Sequence, residues 1–370
     1  IDFLWTLSSP DRKINIDYYS ARWTGKLIAP ETGTFKIGLD GNDGFRLYIN
    51  NALIIDNWKK QTYSTLLANY SFVKNKTYDI KVEFFEPNGN ARLKLIWDAG
   101  IKHDWQQKIQ QAVATAKQAD VAVVVAGIHE GEFQDRALLS LPGHQEDLIK
   151  AVAATGKPTV VLLTGGSAIT MKSWLDKVSS VVDVWYPGEE GGDAVAAVLF
   201  GDYNPAGRLP VTFPQHEAQL PLVYNHKPTG RGDDYYNLSG LPLFPFGFGL
   251  SYTHFAYSNL WLDKPAISSH ESANVHCTVT NTGSYAGDEV VQLYIHDLLA
   301  SVARPVMELK GFQRIHLQPG ESREVTFSIT PDMLSMLNQQ MQTVVEPGDF
   351  RIMIGASSRD LRLKTTLTVQ

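Results

Sequence analysis

The spacing of apolar residues changes twice along this chain, and that change most restricts what the chain can fold into. Between Tyr18 and about Trp97, apolar and polar residues alternate in short runs such as GTFKIGLD and TYDIKVEFF, which predicts an all-β unit. From Trp105 a helical period appears, and from about Asn259 short alternating runs return. We therefore predict three domains, at residues 1–100, 101–256 and 257–370.

The middle segment combines two periods. Helical stretches such as QQKIQQAVATAKQA and QEDLIKAVAATG alternate with the Val-rich runs VAVVVAG, PTVVLLTG and SVVDVWY, and a third helix is expected around Trp174. Continuous apolar strands between helices predict a mostly parallel sheet covered on both faces. The fold class is therefore a β-barrel or β-sandwich, then an α/β sandwich, then a second β-sandwich.

Composition excludes several classes of partner. The 370 residues are 44% hydrophobic, and 33 Lys and Arg against 39 Asp and Glu give a net charge of -6, so nucleic acid is not expected to bind. No apolar run approaches the roughly 20 residues that cross a bilayer, so we expect a soluble chain with no membrane partner.

The chain begins at Ile1 rather than Met, and we expect further polypeptide upstream. Its single cysteine, Cys277, lies in an alternating run and is predicted to be a core thiol.

Charged residues cluster in two of the loops that follow predicted strands. Ligands of open parallel sheets bind beyond the carboxyl ends of the strands, so these loops are where a site is expected. The two clusters are GIHEGEFQDRALLSLPG, with Glu130, Glu132, Asp135 and Arg136, and YPGEEGGDAVAAVLFG, with Glu189 and Glu190.

Each cluster also has an ordinary structural explanation. Glu189 and Glu190 precede a helix, whose positive end favours acidic residues, and Asp135 and Arg136 suit a loop salt bridge. Against this, glycines surround the acidic pair, and Trp185 and Tyr186 precede it. Aromatic neighbours raise the pKa of a carboxyl and a helix N-terminus lowers it, so the sequence leaves the direction open.

Other chemistries lack their motifs. The sequence has no HExxH, no cysteine pair for zinc, no GxxxxGK[ST] loop and no GxSxG elbow. We expect no metal and no cofactor, which leaves a mechanism based on carboxylates.

Several long motifs resemble the C-terminal part of glycoside hydrolase family 3 enzymes of the β-glucosidase type. They are DRALLSLPGHQEDLI, WYPGEEGGDAVAAVLFGDYNPAGRLPVTFP and PLFPFGFGLSYTHF. NTGSYAGDEVVQLYI, RPVMELKGFQRIHLQPGE and EPGDFRIMIGASS resemble the fibronectin type III-like domain that closes many of these enzymes.

The first segment, with YYSARWTGKLIAPETGTFKIGLDGNDGFRLYINN, resembles the protective-antigen-type β-barrel inserted in some members of this family. That resemblance implies a domain that lies over the substrate pocket and limits the length of the oligosaccharide that the pocket accepts. Lectin-like relatives of the domain bind calcium through two adjacent aspartates. Here the stretch reads Gly41, Asn42, Asp43, Gly44, so calcium binding is not expected.

The family resemblance also implies a mechanism. Its retaining members use two carboxyl groups about 5 to 5.5 Å apart, one as nucleophile and one as acid and then base. The family's nucleophile is an Asp that follows Ser on an N-terminal TIM barrel, and this chain contains no Ser-Asp pair. The resemblance assigns the acid/base to Glu190, with Glu189 as the neighbour most easily confused with it. Asp135 and Arg136 are expected to brace the cleft, and Glu132 to brace it or contact sugar.

These features predict the C-terminal part of an exo-acting β-glucosidase, inactive without its barrel. Its partners would be that barrel and a β-linked oligosaccharide or glycoside, and homo-oligomers stay open, as does the choice among glucose, xylose and arabinose. A periplasmic or secreted location is favoured over a cytoplasmic one. Two alternatives remain: a non-catalytic carbohydrate-binding module, and a structural fragment.

Overall fold

The computed structural model describes residues 1–5, 8–101, 104–131, 135–229 and 234–370. The chain separates into two compact units, Ile1–Trp105 and Gln106–Gln370. None of the helices in the described parts of the chain has the length and apolar character needed to cross a bilayer. Most of the regular structure is β-strand, as predicted from the alternating runs.

The first unit is built from antiparallel strands. In chain order its strands are β1 (Asp2–Leu4), β2 (Tyr19–Ile28), β3 (Gly33–Gly41), β4 (Gly44–Ile49), β5 (Ala52–Asn57), β6 (Ser64–Phe72), β7 (Thr77–Glu86) and β8 (Arg92–Trp97). They form two four-stranded sheets, in the orders β1-β8-β3-β6 and β2-β7-β4-β5. Alternate side chains of both sheets, among them Leu39, Phe45, Phe84 and Leu93, share one hydrophobic core, since side chains along a strand alternate between its faces.

The second unit opens with alternating helices and strands. These are α1 (Trp105–Gln118), β9 (Ala122–Gly127), α2 (Gln145–Ala153), β10 (Thr159–Thr164), β11 (Ser180–Trp185) and α3 (Gly191–Phe200). The three strands form a parallel sheet in the order β11-β10-β9. Ile149 and Val152 of α2 pack on one face of it with Val124, Val161 and Leu163.

One expectation for this segment was wrong. The helix predicted around Trp174 is a short 3₁₀ turn at Leu175–Lys177. Ile169, Met171 and Trp174 are all buried in the core, at a spacing that one face of an α-helix does not provide. Val123 and Val125 of β9 are 48% and 68% exposed, whereas Leu162, the β10 partner of Val125, is 7% exposed, so cover on both faces of the sheet stays a prediction.

The rest of the second unit is a β-sandwich. Its elements are β12 (Phe255–Leu262), β13 (Ala266–Ile267), β14 (Ala273–Asn281), β15 (Gly287–Asp297), β16 (Glu308–Leu317), β17 (Ser322–Ile329), α4 (Pro331–Leu334), β18 (Met336–Leu337), β19 (Thr343–Val344), β20 (Gly348–Gly355) and β21 (Leu361–Val369). Sheets β12-β14-β17 and β13-β21-β20-β15-β16 enclose a core that contains Cys277. Cys277 is fully buried, as predicted, and burial raises the pKa of its thiol to about 11.

A buried ion pair connects this sandwich to the segment that follows α3. Arg208 Nη2 lies 3.0 Å from Glu289 Oε1, and both side chains are almost entirely buried. Removing either partner alone would leave the other charge buried without compensation, so the pair fixes the sandwich to the segment that carries Arg208.

Candidate active site

The three parallel strands end at one edge of their sheet. Ala126 pairs with Leu163, and Leu163 pairs with Asp183, so β9, β10 and β11 finish side by side. The described segments that leave this edge are 128–131, 135–136, 165–168 and 186–190, and they contain the described residues of both predicted charge clusters. The edge is therefore the candidate site.

Glu130 is the carboxylate at this edge that accepts the most hydrogen bonds. It accepts hydrogen bonds from Gly166 N at 2.8 Å, from Tyr186 Oη at 2.7 Å and from the hydroxyl of Ser167. The Ser167 bond, followed by those from Tyr186 and Gly166 and the charge of Arg136, lowers the pKa of Glu130. A carboxylate held ionised in this way is suited to fixing neighbouring segments and unsuited to donating a proton.

Arg136 reaches the same hydroxyl from the other end of the loop. Its Nη2 donates to Ser167 Oγ at 2.9 Å and to Ala168 O at 3.3 Å, and its Nε lies 3.8 Å from Glu130 Oε1. Glu130 and Arg136 are thus both bound to one side chain that follows β10. Asp135, next to Arg136, is exposed. Glu132, between the two anchors in sequence, lies outside the described residues.

Tyr186 binds the loop after β9 to the loop after β11. Its side chain is 59% exposed, and its hydrogen bond to Glu130 raises the pKa of the phenol. Trp185, which precedes it, has a φ of 51° and accepts hydrogen bonds from Thr164 Oγ1 and Gly165 N. This turn directs the chain from β11 toward the acidic pair.

Glu189 and Glu190 are exposed at the start of α3. Glu190 is the N-cap residue, with φ −86° and ψ 14°, and its backbone oxygen accepts from Ala194 N at 3.0 Å, while its side chain makes no capping hydrogen bond. The residue thus lies at the helix N-terminus, as the structural explanation expected. Its carboxyl, however, accepts no hydrogen bond from the first backbone N–H groups of the helix. Neither carboxylate is among the groups that contact Glu130.

Ser167 and Tyr186 provide contacts that were not predicted as site contacts from the sequence. Each follows the end of a strand at the same edge, and position relative to the sheet is the signal that identifies them.

Within the described residues, no group of three or more His, Cys, Asp or Glu side chains is arranged to hold a metal ion. In the first unit, Asn42 and Asp43 are both buried, and the Asn42 amide donates to Asp43 Oδ2 at 2.9 Å.

Family profiles identify the class of protein. The profile described as glycosyl hydrolase family 3 C-terminal domain matches residues 9–252, and that described as fibronectin type III-like domain matches residues 289–358. The chain belongs to glycoside hydrolase family 3.

Individual relatives agree with this placement. A "Beta-xylosidase" of Formosa agariphila is 40% identical over 92% of this chain and 44% of its own length. A "Periplasmic beta-glucosidase" of Salmonella typhimurium is 42% identical over 68% of this chain and 35% of its own length. The chain therefore spans less than half of each.

Solved structures likewise match most of this chain and less than half of their own length. A β-glucosidase from Kluyveromyces marxianus in complex with glucose matches 99% of this chain and 47% of its own, with a TM-score of 0.72 and 28% identity. A β-glucosidase from Erythrobacter marinus matches 72% of this chain and 36% of its own, with a TM-score of 0.68 and 40% identity.

Proposed function

We propose that this chain is the C-terminal part of a retaining exo-β-glycosidase of the β-glucosidase type that removes terminal, non-reducing β-linked glucose. The observation that carries this proposal is the edge at which β9, β10 and β11 end. There Glu130 binds the loops after all three strands together, and two of those loops present further carboxylates. Family membership and relatives named as β-glucosidases and β-xylosidases support the same reaction class.

In this proposal Glu190 is the acid/base. It protonates the departing glycosidic oxygen and later removes a proton from the water that hydrolyses the glycosyl-enzyme ester. An aspartate on an N-terminal barrel, outside this chain, is the nucleophile. The exposure of Glu190 here suits a group that faces substrate and barrel rather than its own domain. Asp135 and Arg136 brace the cleft, with Glu189 and Glu132 as neighbouring carboxylates.

Domain details extend the proposal. The first unit is the protective-antigen-type domain, the helices and parallel sheet form an α/β sandwich, and the first unit limits the length of the oligosaccharide. A relative that matches 72% of this chain, a share the size of the second unit, supports an inserted first unit. The Salmonella protein named as periplasmic supports a location outside the cytoplasm.

The proton donor is tested by replacing each carboxyl separately in the full-length enzyme. With Glu190→Ala, kcat/KM for an alkyl β-glucoside is expected to fall by about 10² to 10⁴, because a poor leaving group needs protonation. An aryl glucoside with an activated leaving group is expected to lose far less, and added azide is expected to restore part of its turnover.

Glu189→Ala and Glu132→Ala are the matched controls. Both are expected to lose activity equally on the two substrates, without rescue by azide. If the leaving-group dependence and the azide rescue are found with Glu132→Ala or Glu189→Ala instead, Glu190 is not the proton donor. A full-length enzyme that binds glycans without turning over any glycoside would favour a carbohydrate-binding module.

A further inference from the structure

One oxygen of Glu130 connects the loop after β10 to the turn that leads to Glu190. Oε2 of Glu130 accepts from Gly166 N at 2.8 Å and from the phenol of Tyr186 at 2.7 Å. A hydrogen bond to an ionised carboxylate is roughly twice as strong as one between neutral groups. Among the described residues, the Tyr186 phenol makes the one hydrogen bond that joins the segment 186–190 to another loop.

The turn from Tyr186 to Glu190 is short and closely packed. Gly188 lies in the left-handed region, with a φ of 72°, and its carbonyl oxygen accepts from Gly191 N at 3.3 Å. A Cβ on Gly191 would come within 2.6 Å of the Pro187 ring, so the turn closes on itself with no space to spare. Glu190 follows as the N-cap residue of α3. A displacement of Tyr186 is therefore passed on to Glu190.

Gly166 leaves the space in which the carboxylate and the phenol meet. A Cβ at this position would lie 2.7 Å from Glu130 Oε2 and 2.7 Å from Cε2 of the Tyr186 ring. Both distances are well inside the roughly 3.5–4 Å at which nonbonded carbon atoms rest. The absence of a side chain thus lets the backbone N–H, the carboxylate and the phenol converge.

We propose that Glu130 and Tyr186 are positioning residues for the acid/base. Their hydrogen bond holds the turn 186–190 so that the carboxyl of Glu190 faces the glycosidic oxygen, and neither side chain reacts. This inference rests on the proposed function, in which Glu190 is the proton donor. Loss of the bond therefore impairs proton transfer and leaves attack by the nucleophile on an activated substrate largely intact.

Tyr186→Phe in the full-length enzyme removes the hydrogen bond and keeps the ring. Tyr186 is 59% exposed, so the melting temperature is expected to stay unchanged. We expect kcat/KM for an alkyl β-glucoside to fall by about 10- to 100-fold, because small displacements of a positioned group have effects of this size. An aryl glucoside with an activated leaving group is expected to lose far less. Equal losses on the two substrates, or none on either, would overturn the proposal.

Tyr252→Phe is the matched control, because this phenol binds the opposite end of the same helix. It donates to Val198 O at 2.6 Å, and Tyr252 is 46% exposed. Its kcat/KM is expected to stay close to that of the unchanged enzyme on both substrates. A leaving-group-dependent loss as large as that of Tyr186→Phe would show that general anchoring of α3, and not the Glu130–Tyr186 bond, positions Glu190.

Two further variants disturb the pair from its other side. Gly166→Ala is expected to reproduce the loss of Tyr186→Phe, since its Cβ would push the carboxylate and the phenol apart. Glu130→Gln keeps an oxygen that can accept from both Gly166 N and Tyr186 Oη, so it is expected to retain more activity on the alkyl glucoside than Glu130→Ala. Equal losses in these two Glu130 variants would contradict the role of the hydrogen bond.

Combination with Glu190→Ala tests whether the pair acts through the acid/base. In that background Tyr186→Phe is expected to cost no further activity on the alkyl glucoside, because residues that act as a unit have non-additive effects. A full additional loss would overturn the inference. Glu190→Ala without leaving-group dependence would contradict the proposed function itself, whereas a leaving-group-dependent Glu190→Ala beside an unaffected Tyr186→Phe would contradict only the positioning role.

Discussion

At the scale of single residues, the pKa values of two carboxyl groups are shifted in opposite directions by their surroundings. Glu130 is bound by three donors, and these lower its pKa. Glu86, in the first unit, is 1% exposed beside the buried Asp43. Burial, and then the neighbouring carboxyl of Asp43, raises the pKa of Glu86 from 4.5 to about 8. Glu86 is therefore largely protonated at neutral pH.

This raised pKa links the stability of the first unit to pH. A carboxyl whose pKa is higher in the folded state stabilises that state fully below the unfolded pKa, and the stabilisation is lost as pH rises toward the folded pKa. We expect the free energy of unfolding to fall between about pH 4.5 and pH 8 and then to level off. Glu86→Gln, which carries no proton to lose, is expected to flatten this slope and to stabilise the unit at pH 8 by a few kcal/mol.

Glu83→Gln is the matched control for that measurement. Although burial opposes it, the hydrogen bond from Tyr48 and the charges of Lys81 and Arg22 lower the pKa of Glu83. Removing this carboxylate is therefore expected to cost stability above about pH 4.5, with the opposite sign from Glu86→Gln. Urea unfolding at several pH values measures both variants, and equal slopes for Glu86→Gln and the unchanged protein would contradict the assignment.

At the scale of elements, periodicity predicted most strands and helices but not the contacts between loops. The runs VAVVVAG, PTVVLLTG and SVVDVWY became β9, β10 and β11, because continuous apolar runs of this length suit strands of a parallel sheet. The helix expected around Trp174 failed because burial of single side chains outweighed local propensity there. Ser167 could not be singled out, since its role depends on register between strands.

Ser167 tests whether the loop contacts matter to the site. Its hydroxyl binds both Glu130 and Arg136, so Ser167→Ala is expected to remove one contact from each and to loosen both residues, although their other hydrogen bonds remain. In the full-length enzyme we expect kcat/KM to fall by about tenfold or more, because small displacements of positioned groups cost rate.

Ser179→Ala is the control, because its hydroxyl accepts from Thr159 N where β10 begins, at the opposite end of the strand. It is expected to affect melting temperature as much as Ser167→Ala does, and kcat/KM hardly at all. Equal kinetic losses in the two variants would show that the Ser167 contacts serve stability alone.

At the scale of the whole molecule, one of the two changes of period in the sequence coincides with the division of the structure into compact units. The change of period near Trp105 marks the division between the two units. The second change, near Asn259, lies inside the second unit, and the domain boundary predicted there stays a prediction. Within that unit the buried Arg208–Glu289 pair joins residues 81 positions apart and has no signature in either local pattern.

Two compact units with separate cores should unfold in separate transitions. Phe45 is fully buried in the first unit and Leu293 in the second. Truncating a buried Phe to Ala costs about 3–5 kcal/mol and a buried Leu about 2–5 kcal/mol. In differential scanning calorimetry, Phe45→Ala is expected to lower the temperature of one transition and Leu293→Ala that of the other, since neither cavity lies in the other unit's core. A single transition that both substitutions lower equally would show that the two units unfold as one cooperative structure.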